Sequence, residues 1–265
     1  MISGASYAAL VRRDRAVLLA AIAVISALAW VYTLRIAATM GSMDMGSMAS
    51  AMAMPSTRSW STGAFVFMFA MWAVMMVAMM LPSATPMILL YAGVMQKRQD
   101  QGRPLVPTAL FTSGYLLAWV GFSVLATLAN WGLHLTGLLS SMMGSIPPLV
   151  GGVVLILAGA FQWSPVKDAC LSHCRSPVIF LTTHWREGRG QAVLMGLHHG
   201  LYCLGCCWLL MALLFVLGIM NLPWIAALTV FVLLEKVVPR GRLISRLSGG
   251  ALALWGVALV AVALV

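Results

Sequence analysis

Long stretches without a charged side chain constrain this chain more than any other feature. A helix needs about 20 apolar residues to cross the hydrocarbon core of a bilayer. Seven stretches reach or approach that length: residues 16–34, 63–81 with an apolar continuation to 95, 106–130, 146–163, 192–220, 222–238 and 249–265. The chain is 62% apolar and only 8% charged, whereas a soluble domain carries about a quarter charged residues. A water-soluble fold would lack the polar residues to cover its surface. The pattern excludes disordered, coiled-coil and disulfide-scaffold classes. It predicts an all-α polytopic transmembrane helix bundle, a single integral membrane domain of about seven spans.

The basic residues test this map, because connections on the cytoplasmic side carry an excess of Lys and Arg. Arg12, Arg13 and Arg15 precede the first span, and Lys97, Arg98 and Arg103 follow the second. Lys167, Arg175, Arg186 and Arg189 follow the fourth, and Lys236, Arg240, Arg242 and Arg246 the sixth. Alternate connections thus hold fourteen of the sixteen basic residues, and the other side keeps only Arg35 and Arg58. The expected topology has the N-terminus cytoplasmic and the C-terminus outside, multi-pass in a bacterial inner membrane. The net charge of +10 is then a topology signal and not a nucleic-acid footprint. The first apolar run is longer than a typical signal-peptide core, and no clean small-residue cleavage site follows it, so it is expected to remain as an anchor.

Sulfur is distributed unevenly. Residues 40–54 contain Met40, Met43, Met45, Met48, Met52 and Met54 among Gly, Ser and Ala, in a loop expected at about 40–60 on the extracytoplasmic side. Thioethers are soft neutral ligands that favour Cu(I). In the second stretch Met68, Met71, Met75 and Met79 share one helix face, flanked by Met76 and Met80. Pro82 and Pro86 follow, each removing a backbone donor, so this span is expected to be kinked or broken there. Its alternative role is helix packing, since Met is also flexible core filler.

All five cysteines sit in two clusters. Cys170, His173 and Cys174 lie within one helical turn, in a connection of about 164–191 expected to be cytoplasmic, where structural disulfides are disfavoured. Lys167 and Arg175 nearby are expected to favour thiolates. In the fifth stretch His199, Cys203 and Cys206 recur at i, i+4 and i+7, with His198 and Cys207 adjacent. Intramembrane histidines are costly unless satisfied and are functional by default. The candidate metal ligands are therefore His198, His199, Cys203, Cys206, Cys207, Cys170, His173, Cys174, Met75, Met79 and Met80. Gly200 and Gly205 on the same stretch are small enough to admit a neighbouring helix, with the methionine-bearing span as one candidate. Glu235 and Lys236 close the sixth stretch as either an interfacial pair or a functional counter-charge.

Four segments carry a family resemblance: Met75, Met76, Met79, Met80 and Pro82 through Pro86; Cys170 through Pro177; Gly196 through Trp208 with the His pair and the three Cys; and Met220, Asn221, Leu222 with Glu235, Lys236 and Pro239. Over roughly residues 63–239 the chain resembles an uncharacterised bacterial family of predicted metal-binding integral membrane proteins. The resemblance implies metal binding and no established reaction.

The expected function is binding of a soft metal ion, Cu(I), and its transfer across or within the membrane. The expected partners are the metal, the bilayer and a membrane-bound or periplasmic cuproprotein, with no nucleic acid. No nucleotide or phosphorylation motif supplies an engine, so active pumping is not expected and facilitated transfer or chaperoning remains, a carrier rather than an enzyme. Three alternatives stay open: a thiol oxidoreductase using Cys203 and Cys206, a b-type haem subunit ligated by His198 or His199, and a structural partner subunit.

Overall fold

In the computed structural model, residues 4–51, 61–102, 104, 106–139 and 146–264 are described. Every regular element among them is an α-helix: α1 Gly4–Ala51, α2 Thr62–Asp100, α3 Thr108–Leu135, α4 Pro148–Phe161, α5 Pro165–Arg175, α6 Pro177–His184, α7 Arg189–Leu217, α8 Leu222–Val237 and α9 Gly241–Leu264. The expected all-α class is observed.

Five of the described helices are long and apolar enough to cross a membrane: the Arg15–Thr39 part of α1, then α2, α3, α7 and α9. A sixth crossing arises if α4 and α5, bent by 64° at their junction, are counted together. Seven apolar stretches therefore do not yield seven full-length helices. The fourth stretch ends where Ser164 caps a new helix, accepting from the Val166 and Lys167 amides, and Pro165 restarts the chain. Helix α8 has 16 residues, about 24 Å at 1.5 Å per residue, shorter than a bilayer core of about 30 Å.

The helix expected to be kinked or broken at Pro82 and Pro86 is one continuous element from Thr62 to Asp100. Hydroxyl groups serve the backbone around the prolines: Ser83 Oγ and Tyr115 Oη both donate to the Met80 carbonyl, at 2.8 and 3.0 Å. Helix α1 continues through Ala51, so residues 40–51 of the Met-rich segment are helical. The side chains of residues 40–60 lie outside the described residues.

The packing is set by small residues. Helices α3 and α7 touch along Gly114, Gly196 and Gly200. A Cβ at Gly196 would stand 1.9 Å from the Phe111 carbonyl oxygen, and one at Gly114 1.9 Å from that of Val193. The neighbour that Gly200 admits is not the methionine-bearing helix but α3, through Tyr115 and Ala118. Helix α4 packs in the same manner on α9, with Gly159 against Gly249.

The segment expected as a polar cytoplasmic connection folds into α5 and α6. Helix α5 leans against α7 and touches α8. There Lys167, fully buried, bonds both carboxylate oxygens of Glu235 at 2.8 and 3.0 Å. Gln162 accepts from the same ammonium, and Ser245 donates to Glu235 at 2.6 Å. A buried ion pair persists only with such additional partners, and this one fixes α5 against α8 and α9.

Candidate metal centre

The site begins with the periodicity of α7. His199, Cys203 and Cys206 face inward together and are 3%, 1% and 1% exposed. Met195, Cys207 and Met211 are buried with them. The Cys206 and Cys207 thiols both donate to the Cys203 carbonyl at 3.0 Å, which bends the three sulfurs around one turn of helix. Gly200 lets α3 approach until Tyr115 Oη lies 3.2 Å from Cys203 Sγ.

Helix α5 brings the second cysteine cluster to the first. Cys174 lines one cavity with His199 and Lys236, and so faces the end of α7 that carries Cys203. Cys170, one turn before Cys174, seats its Sγ against Gly205, 2.8 Å from where a Cβ would stand. All five cysteines are free thiols.

A cation completes the arrangement. Lys236 Nζ lies 2.9 Å from Cys203 Sγ and 2.8 Å from Ser83 Oγ, joining α8 to α2 and α7. A cavity of about 230 Å³ opens beside it, lined by Ser83, Met87, Cys174, His199 and Lys236 among others. His199 Nδ1 is buried without a hydrogen-bond partner, although buried polar atoms are nearly always paired.

Chemically, this is a set of sulfur donors with one unpaired imidazole nitrogen, held in a low-dielectric interior beside a fixed positive charge. Soft thiolates, thioethers and imidazole suit Cu(I). A Cu(I) ion held by two thiolates carries net negative charge, which the Lys236 ammonium offsets. Among the described residues, no group of three His, Cys, Asp or Glu side chains is placed so that it could hold a metal ion without rearrangement.

The other sequence candidates sit elsewhere. His198 is exposed on another face of α7, with His184 6.2 Å away between ring centres. His173 stacks on Tyr202 at 4.2 Å, and its Nδ1 lies 2.9 Å from the Ala169 carbonyl. Met75, Met79 and Met80 are buried along α2. Met80 joins the site through its carbonyl, by way of Tyr115.

Lys167 and Arg175, expected to set the charge around Cys170 and Cys174, are occupied differently. Lys167 pairs with Glu235, and Arg175 donates to the Val238 and Pro239 carbonyls at 2.7 and 2.6 Å. Helix α8 supplies the cation instead, because Glu235 and Lys236 point to different sides, one to Lys167 and one to Cys203. The sequence offers only an ambiguous Glu–Lys pair as a signal for Lys236. It offers none for Tyr115, whose role depends on which helix crosses Gly200.

Residues 69–259, most of the chain and every residue of this centre, match the model of the PpoB2 family, described as a copper chaperone. No curated protein and no solved structure matches the chain.

Proposed function

We propose that this chain, which belongs to the PpoB2 copper chaperone family, binds Cu(I) at the sulfur cluster of α5 and α7 within the bilayer and passes it on. The observation that carries the reading is that Cys174 of α5 and His199 of α7 line one cavity with Lys236, whose Nζ lies 2.9 Å from Cys203 Sγ. Two helices thus bring soft donors to one cavity, beside a buried imidazole nitrogen that has no hydrogen-bond partner.

The ligands in this proposal are Cys174, Cys203, Cys206 and Cys207, with His199 as the nitrogen donor and Cys170 as an adjoining sulfur. Lys236 holds the compensating charge. Copper is the cargo. It moves by exchange of one soft ligand for another, without a change of oxidation state. Methionines Met68, Met71, Met75, Met76, Met79 and Met80, all buried rather than turned outward, form the approach along α2. The Met-rich segment before α2 collects the ion outside.

The chain sits in the inner membrane with its N-terminus cytoplasmic, α8 adding a short seventh crossing. Large apolar side chains on the outer surfaces of α1 and α9, such as Leu28, Leu254 and Val262, are exposed in the isolated chain, as lipid-facing positions are. A membrane-bound or periplasmic cuproprotein is the recipient.

Metal analysis of the purified protein, set beside titration of its thiols, tests this reading. The expected result is copper that falls when Cys174→Ser removes the α5 sulfur from that cavity, with the thiols reduced throughout. A metal-free protein whose Cys203 and Cys206 cycle between dithiol and disulfide with quinone would replace it with a thiol oxidoreductase.

A further inference from the structure

We infer that His184, His198 and Met195 form a second metal station, at the surface end of α6 and α7, that exchanges Cu(I) with the buried centre. The inference rests on the copper reading above for the identity of the metal, and on separate residues for the site.

His184 ends α6, and its ring is fixed on both sides. Its Nδ1 lies 3.2 Å from the Phe180 carbonyl and 2.9 Å from Thr183 Oγ1, and its ring stacks on Phe180 at 4.6 Å. In the tautomer in which Nδ1 donates to the Phe180 carbonyl, Nε2 keeps its lone pair for a metal. Metal-binding histidines are oriented in this way by a backbone carbonyl on the other ring nitrogen.

His198 faces it from α7 with ring centres 6.2 Å apart. Metal–nitrogen bonds of about 2.0–2.1 Å, plus roughly 1.1 Å from nitrogen to ring centre on each side, allow up to about 6.4 Å between two imidazoles sharing one ion. Met195 lies one turn before His198, is 3% exposed, and lines the same small cavity of about 70 Å³ as both histidines. Gln191 Oε1 borders that cavity, buried and without a hydrogen-bond partner.

The donors point to a particular ion. Two neutral imidazoles and a thioether bring no negative charge, and Arg186 adds a positive one at the rim. That combination penalises divalent cations and leaves a soft monovalent ion, which is Cu(I). The station also adjoins the buried centre. Phe180, fully buried, touches His184 at 4.6 Å and His199 at 5.2 Å between ring centres. One aromatic ring thus separates an imidazole open to the surface from the imidazole of the sulfur cluster.

The test uses the full chain in detergent, titrated with Ag(I) as a redox-inert stand-in for Cu(I), with bound metal counted per chain. His184→Ala/His198→Ala is expected to lose one equivalent relative to wild type and keep the ultraviolet metal–thiolate band. Met195→Leu, close in volume, is expected to weaken the same equivalent. Cys203→Ser/Cys206→Ser is expected to lose the band while retaining that equivalent. If the double histidine variant, folded by circular dichroism, binds as much Ag(I) as wild type across the titration, the station does not exist. If the cysteine variant loses no metal while the histidine variant does, the buried-centre reading falls and the station stands.

Discussion

The ammonium of Lys236 lies 2.9 Å from the sulfur of Cys203, across 33 residues of sequence and between two helices. Its neighbour Glu235 turns the other way, to Lys167. One adjacent acid–base pair therefore serves two purposes: Glu235 anchors α5, and Lys236 gives the sulfur cluster a fixed positive charge.

Removing that charge tests its role. Lys236→Met keeps most of the side-chain volume and leaves an anionic copper–thiolate centre without its counter-ion. An opposite charge at about 4 Å in a protein interior is worth a few kcal/mol at most. Cu(I) affinity is expected to fall about 10- to 100-fold, or about 1–3 kcal/mol, measured by competition with a chromophoric Cu(I) chelator. Lys236→Arg should retain most of it.

The Lys167–Glu235 pair is expected to matter for stability. Lys167→Met strands a buried carboxylate, and removing one partner of a buried pair costs about 3–5 kcal/mol. Lys167→Met/Glu235→Leu removes both charges and should be less destabilised than either single variant. Thermal unfolding in detergent, followed by circular dichroism, gives the order.

Two glycines of neighbouring helices should respond oppositely to alanine. At Gly196 the new methyl would meet the Phe111 carbonyl at 1.9 Å, forcing α3 from α7 and Tyr115 from Cys203. A loss of about 1–3 kcal/mol or more is expected. Gly121 on α3 has nothing within 4 Å of its missing Cβ, so Gly121→Ala should stabilise by about 0.5–1 kcal/mol through helix propensity. Unfolding midpoints of the two variants separate the cases.

The methionines of α2 can be probed by shape-conserving exchange. Met75→Leu/Met79→Leu should cost under about 1.5 kcal/mol per site in stability and leave equilibrium affinity at the sulfur cluster unchanged. Copper entry into proteoliposomes is expected to slow several-fold. An unchanged rate would make these residues core filler.

How much of the molecule is legible in its sequence follows from which contacts are local. His199, Cys203 and Cys206 lie on one helix, so the 3.6-residue period alone places them on one face. Cys170 and Cys174 are readable as a pair for the same reason. Their meeting with α7 is not, because it depends on the 64° bend between α4 and α5 and on Gly205 accepting the Cys170 sulfur. Hydropathy overcounts full-length crossings because it registers apolar content and not where Ser164 and Pro165 restart a helix. The prolines of α2 suggest a kink or a break, yet the helix runs on through both, with Ser83 and Tyr115 donating to the nearby Met80 carbonyl. Tyr115 reaches that carbonyl from 35 residues away on α3.

The central claim is that the α5–α7 thiols hold Cu(I). Competition between the purified chain and a Cu(I) chelator, run on wild type and on Cys203→Ser/Cys206→Ser, measures it directly. The account predicts at least about a 100-fold loss of affinity, about 2.7 kcal/mol, together with loss of the copper–thiolate absorption. Equal affinity and an unchanged spectrum in a folded double variant would contradict it.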